Sequence, residues 1–180
     1  MMAFLRKDSP LFSRKNRLLH FAPEDVLQRI FKLDPNLSYL SVDLYSPLAM
    51  IKMDIMNLQL EEQSYDVILC NHVLAHVESD IKAMMEMNRV LSKGGWMVVT
   101  TTIDFTKPTY EVPGPLTSEE RKKVYGQEDL CRIYGFDIID RFSGCGFEVD
   151  KIDYASKFSP DQQKKFGFNK EIILLCRKLD

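Results

Sequence analysis

Tyr65 to Val77, Tyr-Asp-Val-Ile-Leu-Cys-Asn-His-Val-Leu-Ala-His-Val, constrains the fold more than any other stretch of the chain. An acidic residue opens a short apolar run that ends in the polar pair Asn71-His72. A helical segment and Leu91-Ser-Lys-Gly-Gly95 then lead into a second apolar run, Trp96 to Thr101. This is a strand–helix–strand unit with its polar groups at the carboxyl end of the first strand. In open α/β sheets ligands sit at that end, so the unit points to a nucleotide-type cofactor site.

Bulk properties narrow the setting. With 180 residues the chain reads as one domain, residues 17–180, preceded by an N-terminal arm, residues 1–16. A formal net charge of -2 supplies no basic field for capturing nucleic acid. No apolar run approaches the roughly 20 residues of a membrane span, and the N-terminus lacks the apolar core of a secretory signal. The four cysteines (Cys70, Cys131, Cys145, Cys176) form no Cys-x-x-Cys pair, and with three histidines they show no metal-ligand spacing. A reducing cytoplasm and no metal are the expectations.

Along the chain, residues 1–16 read as a mobile arm or the remnant of a preceding helix. Arg17–Phe21 is a first strand, Pro23-Glu24-Asp25 starts a helix reaching about Lys32, and Leu37–Leu44 is a second strand. Met50–Ile55 reads as a short third strand. Ser79-Asp80 caps a helix with Ile81, Met84, Met85 and Leu91 on its apolar face, its methionines serving as core filler. Gly94-Gly95 would end that helix. Residues 103–118, rich in proline, read as a long loop of the kind that often forms a lid. Ser118–Val124 and Gln127–Phe142 read as helices. Phe147–Tyr154 and Glu171–Arg177 are closing strands joined by a polar segment. The alternation of strands and helices implies a mostly parallel sheet covered on both faces, with an antiparallel C-terminal edge strand.

Five pieces occur together in one order and spacing: Ser41-Val-Asp43, Lys52-Met-Asp54, Asp66 to Val77, Arg89-Val-Leu-Ser-Lys-Gly-Gly-Trp96 and Gly144-Cys-Gly-Phe-Glu148. With them the chain resembles the class I S-adenosylmethionine-dependent methyltransferases of the type-11 group, from Arg17 to the C-terminus. The resemblance implies a Rossmann-like doubly wound α/β fold with S-adenosyl-L-methionine as cofactor. It places Asp43 on the ribose hydroxyls, Asp54 and the backbone of Ile55 beside the adenine, and Asn71 and His72 near the methionine portion and the methyl group. For Asp43 the physical logic also stands alone, because a carboxylate accepts two hydroxyl donors about 20 residues beyond the first strand–helix turn; the other reading is a turn-forming Asp before Ser46-Pro47. His76 either joins His72 on one face of a helix or packs locally.

The chain departs from the family pattern in the loop after strand one, which normally carries an acid and spaced glycines. Here it reads His20-Phe21-Ala22-Pro23-Glu24, so His20, Ala22 and Glu24 occupy the cofactor-binding positions. Ala75 stands where relatives have Glu. Few residues precede strand one, which leaves the site open or covered by a partner subunit, as in a homo-oligomer. The resulting expectation is a methyltransferase acting by in-line transfer on a small-molecule or sugar-like acceptor, with His72 and then Asp104 as candidate bases. Tyr134 is a candidate for positioning the acceptor, its other reading being a packed aromatic. The alternative is a non-catalytic methyltransferase-like binding or scaffold protein. A nicotinamide dehydrogenase fits poorly, since no Gly-x-Gly-x-x-Gly occurs.

Overall fold

The computed structural model describes residues 1–168 and 171–179. Its main sheet contains β1 (Asn16–Phe21), β2 (Leu37–Asp43), β3 (Ile51–Lys52), β4 (Tyr65–Asn71), β5 (Leu91–Thr100), β8 (Phe147–Ile152) and β9 (Ile173–Lys178), with β6 (Ile103–Asp104) and β7 (Tyr134–Gly135) forming a separate parallel pair. The seven strands lie in the order β3-β2-β1-β4-β5-β9-β8. All neighbours among the first five run parallel, and β9 inserts antiparallel between β5 and β8. The expected mixed α/β sheet is therefore present, with β8 rather than the antiparallel strand at the edge.

The apolar strands explain the layers. Leu18, Val67, Leu69, Trp96 and Val98 face one side, where α1 (Met2–Lys7) contributes Phe4 and Leu5 and α2 (Asp25–Leu33) contributes Phe31. Leu19, Phe21, Ile68, Cys70, Met97 and Val99 face the other, against Met84 and Met87 of α3 (Asp80–Val90) and Ile138 and Phe142 of α5 (Ile138–Gly144). Each central strand is buried on both faces, which is why the sequence runs apolar without alternation. Burial holds the Cys70 thiol up at about 12.

Several local expectations give way to packing. Of the two readings of residues 1–16, a mobile arm or a helix remnant, the structure has the helical one, α1, with Phe4, Leu5 and Leu11 buried in the same apolar layer. Only Ile51–Lys52 of the third stretch pairs as a strand. On α3 the buried stripe is Ala83, Met84, Met87 and Val90, while Ile81 and Met85 are exposed. Gly94-Gly95 lies inside β5, where the register against β4 jumps from Tyr65↔Leu91 to Val67↔Trp96. Gly94 takes φ 67°, and a side chain on Gly95 would meet the Ser92 carbonyl at 2.7 Å. These glycines make a bulge and not a helix end.

The expected helix over Gln127–Phe142 is only α5; before it the chain forms β7, because Gly135 approaches the backbone of Lys107 and Pro108 too closely for any side chain. The long loop is correspondingly pinned through β6 and the Tyr110–Ile133 bridge, and is followed by α4 (Ser118–Tyr125). The linker to β9 includes α6 (Pro160–Phe166); its residues 169–170 lie outside the described residues. Among those described, no helix is long and apolar enough to cross a membrane.

Asp66, the acid that opens β4, ties the amino ends of two central strands together. It accepts from the Arg17 backbone N–H at 2.8 Å and from its guanidinium at 2.6 and 3.1 Å. These bonds, led by the guanidinium, hold its carboxyl below the ordinary 3.8. A depressed carboxylate contributes stability that is present above its unfolded pKa and lost as pH falls through the folded one. Urea unfolding of Asp66→Asn is therefore expected to give a flatter decline in stability below about pH 4 than the parent chain. Parallel curves would assign the acid sensitivity elsewhere.

Candidate functional site

The sheet reverses direction between β1 and β4, since the chain builds outward through β2 and β3 on one side and β5 on the other. Crevices at such switch points receive ligands. A cavity of about 530 Å³ opens there, lined by Phe21 and Ala22 after β1, Asp43 to Tyr45 after β2, Met53 to Met56, and His72, Val73, His76 and Val77 after β4. Its size suits a small molecule or cofactor. The register explains the convergence: Phe21 pairs with Val42 and Cys70, so Ala22, Asp43 and the residues after Cys70 emerge at one level.

Two non-glycine residues at this rim hold left-handed backbone conformations, Ala22 at φ 47° and His72 at φ 52°. Ala22 N–H donates to the Val42 carbonyl at 3.0 Å and His72 N–H to Thr100 at 2.8 Å, bonds that hold both bends. Strain of this kind concentrates at functional sites. At position 22 a small side chain adopts the geometry for which glycine is usually chosen.

Asp43 lines the cavity, and its Oδ1 accepts from the N–H groups of Tyr45 and Ser46 at 2.7 and 2.6 Å. The turn-forming reading thus describes one oxygen and leaves the carboxylate at the rim. Asp54 likewise orders its turn, accepting from Met56 N–H at 2.8 Å, beside Ile55. His72 and His76 come together on one wall, although the segment between them is a tight 3-10 turn, Leu74–His76, and not an α-helix. The same two histidines also line a second cavity of about 290 Å³ with Thr101, Thr102, Gln127 and Leu130.

Three expected site residues stand behind the wall instead. His20 is fully buried, its Nδ1 3.0 Å from the Tyr39 hydroxyl and its ring edge-on to Phe31. It faces the α2 layer because alternate residues of β1 face opposite sides. Its Nε2 lies 2.9 Å from Glu24 Oε2, within charge-pair range but off the line of a hydrogen bond. Glu24 turns away from the cavity, accepting from Asn71 Nδ2 at 3.1 Å, and Thr100 Oγ1 donates to Asn71 Oδ1 at 3.3 Å. Partial burial pushes the Glu24 carboxyl up, but His20, the local backbone and Asn71 outweigh it and leave it lowered. His20, Glu24, Asn71 and Thr100 thereby brace the mouths of β1, β4 and β5.

Asp104 lies on β6, outside both cavities, and bonds to Thr106, chiefly through the hydroxyl, hold its carboxyl low, which makes it a poor base. Tyr134 is the packed aromatic: fully buried, its hydroxyl donates within reach of Asp80 at 2.9 Å and the Leu74 carbonyl at 3.2 Å. Burial, then the Asp80 charge, raises its pKa well above 10.0.

The residue that sequence reasoning missed is Arg132, at 1% exposure. It donates to the carbonyls of Leu74, Val77 and Glu78 at 2.7 to 2.9 Å and to Glu111 at 2.8 and 3.1 Å. Asp80 closes the cluster, 3.8 Å from Arg132 and 2.9 Å from Arg141. Its only sequence signal was an arginine inside the apolar run Leu130 to Tyr134. Among the described residues no group of three His, Cys, Asp or Glu is placed to hold a metal ion.

Residues 18–99, from β1 through most of β5, match the family model of the methyltransferase domain. Solved structures of low identity share the whole fold. An S-adenosylmethionine-dependent methyltransferase from Mesorhizobium loti is 14% identical with a TM-score of 0.67, over 93% of each chain. Haemonchus contortus phosphoethanolamine N-methyltransferase 2, solved with S-adenosyl-L-methionine, is 14% identical with a TM-score of 0.67, over 99% of this chain and 52% of its own. The [4+2]-cyclase SpnF is 16% identical with a TM-score of 0.62, over 92% of this chain and 75% of its own. Comparison with curated protein sequences gives no match.

Two substitutions check this construction. Ala22→Gly should leave stability unchanged or raise it by up to about 1 kcal/mol, because a left-handed conformation costs an L-residue roughly 1–2 kcal/mol and glycine returns part of that as unfolded-state entropy; a clear loss in denaturant unfolding would remove the strain. Arg132→Met should cost about 3–5 kcal/mol, the penalty for leaving a buried charge partner and carbonyls unanswered, and its unfolding midpoint measures it.

Proposed function

We propose that this domain binds S-adenosyl-L-methionine in the 530 Å³ cavity and transfers its methyl group in line to a small-molecule or sugar-like acceptor in the adjoining 290 Å³ cavity. The observation that carries the reading is the shared wall: His72 and His76 line both cavities, so a group held in one reaches a group held in the other. The residues fit the cofactor. Asp43 presents a carboxylate for ribose hydroxyls, the Asp54 turn with Ile55 suits an adenine edge, and Glu24 adds no bulk because it points at Asn71.

When bound, the cofactor supplies an activated methyl on a sulfonium centre. The protein's contribution is then mainly alignment, which in favourable cases removes several kcal/mol of barrier. Apolar Phe21, Met53, Met56, Val73 and Val77 keep water from the centre of the site. Asn71 acts through Glu24, Thr100 and the strand mouths and not by facing the ligand. His72 and His76 both combine exposure with access to both cavities, and His72, the more exposed of the two, is favoured over Asp104 as a proton acceptor. The free thiols fit a reducing compartment such as the cytoplasm.

The second reading, a cofactor-free binding or scaffold protein, draws on the loss of loop glycines and of a carboxylate at Ala75. Against it, Ala22 reproduces the glycine-like bend. Calorimetry with S-adenosylmethionine and S-adenosylhomocysteine decides between them: micromolar affinity is expected, and silence at millimolar ligand would leave only the scaffold. Asp43→Ala is expected to weaken binding by about 1–3 kcal/mol, the value of charge-assisted hydrogen bonds to two hydroxyls. Unchanged affinity would take Asp43 out of the site.

A further inference from the structure

His72 carries three features that the cavity alone does not require. Its backbone is held at φ 52°. Its imidazole is left 54% exposed at the boundary of two cavities, where a packed core histidine would be covered. A carboxylate also meets it from a distant part of the chain: Glu171, just before β9, brings Oε1 to 2.6 Å from Nε2. The antiparallel direction of β9 makes this meeting possible, because its amino end lies at the carboxyl ends of the parallel strands.

We propose that Glu171 is the positioning residue for His72 in the transfer proposed above, and that the pair commits the acceptor to a small molecule whose nucleophilic oxygen or nitrogen carries a proton. The inference rests on that cofactor reading. The carboxylate oxygen lies 2.6 Å from Nε2, within charge-pair range but, as for His20 and Glu24, off the line of a hydrogen bond. At that distance an unprotonated nitrogen would set lone pair against lone pair, so the contact places the hydrogen on Nε2. In the neutral ring Nδ1 is then the nitrogen with a free lone pair. His76 shows the opposite assignment on the same wall, its Nδ1 lying 3.1 Å from Asp129 Oδ2. The two carboxylates thus approach different nitrogens of two neighbouring rings.

The proton balance follows. As the acceptor's oxygen or nitrogen forms its bond to the methyl carbon, the carbon–sulfur bond breaks and its electron pair neutralises the sulfonium to a thioether. The acceptor's proton passes to His72 Nδ1, the imidazolium rests against Glu171, and the proton leaves to water afterwards. An acceptor without such a proton would have no use for this pair. Thr101, Thr102 and Gln127 line the smaller cavity with hydrogen-bonding groups, and its 290 Å³ limits the acceptor to less than a drug-sized molecule.

Two-bond ¹H–¹⁵N spectra of the histidine rings read the proton's place directly, and with three histidines in the chain a His72→Asn variant assigns the signals. In the parent chain His72 is expected with the proton on Nε2 and an Nε2 shift displaced from that of a water-exposed ring. Glu171→Ala should move that resonance to the position of a water-exposed ring and raise the Nδ1–H population, and Glu171→Gln, which keeps an accepting oxygen, should restore most of the parent spectrum. A parent ring protonated on Nδ1, or a spectrum indifferent to Glu171→Ala, overturns the proposal. Calorimetry with S-adenosylhomocysteine on the same proteins keeps the two readings apart. Binding retained with the ring indifferent refutes the positioning role alone, and no binding in the parent chain refutes the cofactor reading on which it rests.

Discussion

The buried guanidinium of Arg132 is the interaction on which the site depends. The turn after β4 leaves the sheet with its carbonyls at Leu74, Val77 and Glu78 turned toward the Arg132 side chain, that of Leu74 buried and the other two partly so. Arg132 answers all three and is itself neutralised by Glu111 and Asp80. Burial works against its charge, yet Glu111, Tyr134 and Asp80 more than offset that and raise its pKa. One side chain therefore joins the wall bearing His72 and His76 to the 103–117 loop and to the approach to α5. An arginine suits this task because its planar fork carries five donors and does not lose its charge.

On this support the site is built from bends and not from a glycine-rich loop. Ala22 and His72 turn the chain at the mouths of adjacent strands, each held by a backbone hydrogen bond to the neighbouring strand. The His20–Glu24–Asn71–Thr100 set fastens those mouths from behind. The bends at Ala22 and His72 are kept by residues other than glycine, at the expense of backbone strain. The polar residues nearest the strand ends divide into two groups, one lining the cavities and one bracing their frame.

That division was the least legible part of the sequence. His20, Asn71 and His72 occupy adjacent strand ends and read alike in one dimension, but the alternation of side chains and the register send His20 toward Phe31 and His72 toward the cavities. The helix expected over Gln127–Phe142 is reduced to α5, because the close approach of Gly135 to Lys107 and Pro108 puts Tyr134–Gly135 into β7 instead. Ile81 and Met85 matched the apolar spacing on α3, yet the stripe that docks is rotated to Ala83, Met84, Met87 and Val90, set by where the sheet lies.

By itself the sequence determined the parallel sheet, its crossover units and the end at which the site forms, because doubly buried strands must be apolar and polar residues collect where strands emerge. It also carried the five pieces on which the resemblance to the methyltransferases rests, and Asp43, Asp54 and His72 line the cavity at that end. Only the tertiary structure decided which polar side chains face the cavities, that Arg132 secures the β4 turn, and that Glu171 meets His72. Those contacts join residues 54 to 99 positions apart, whose encounter depends on strand order and direction, and no local pattern in the chain encodes that.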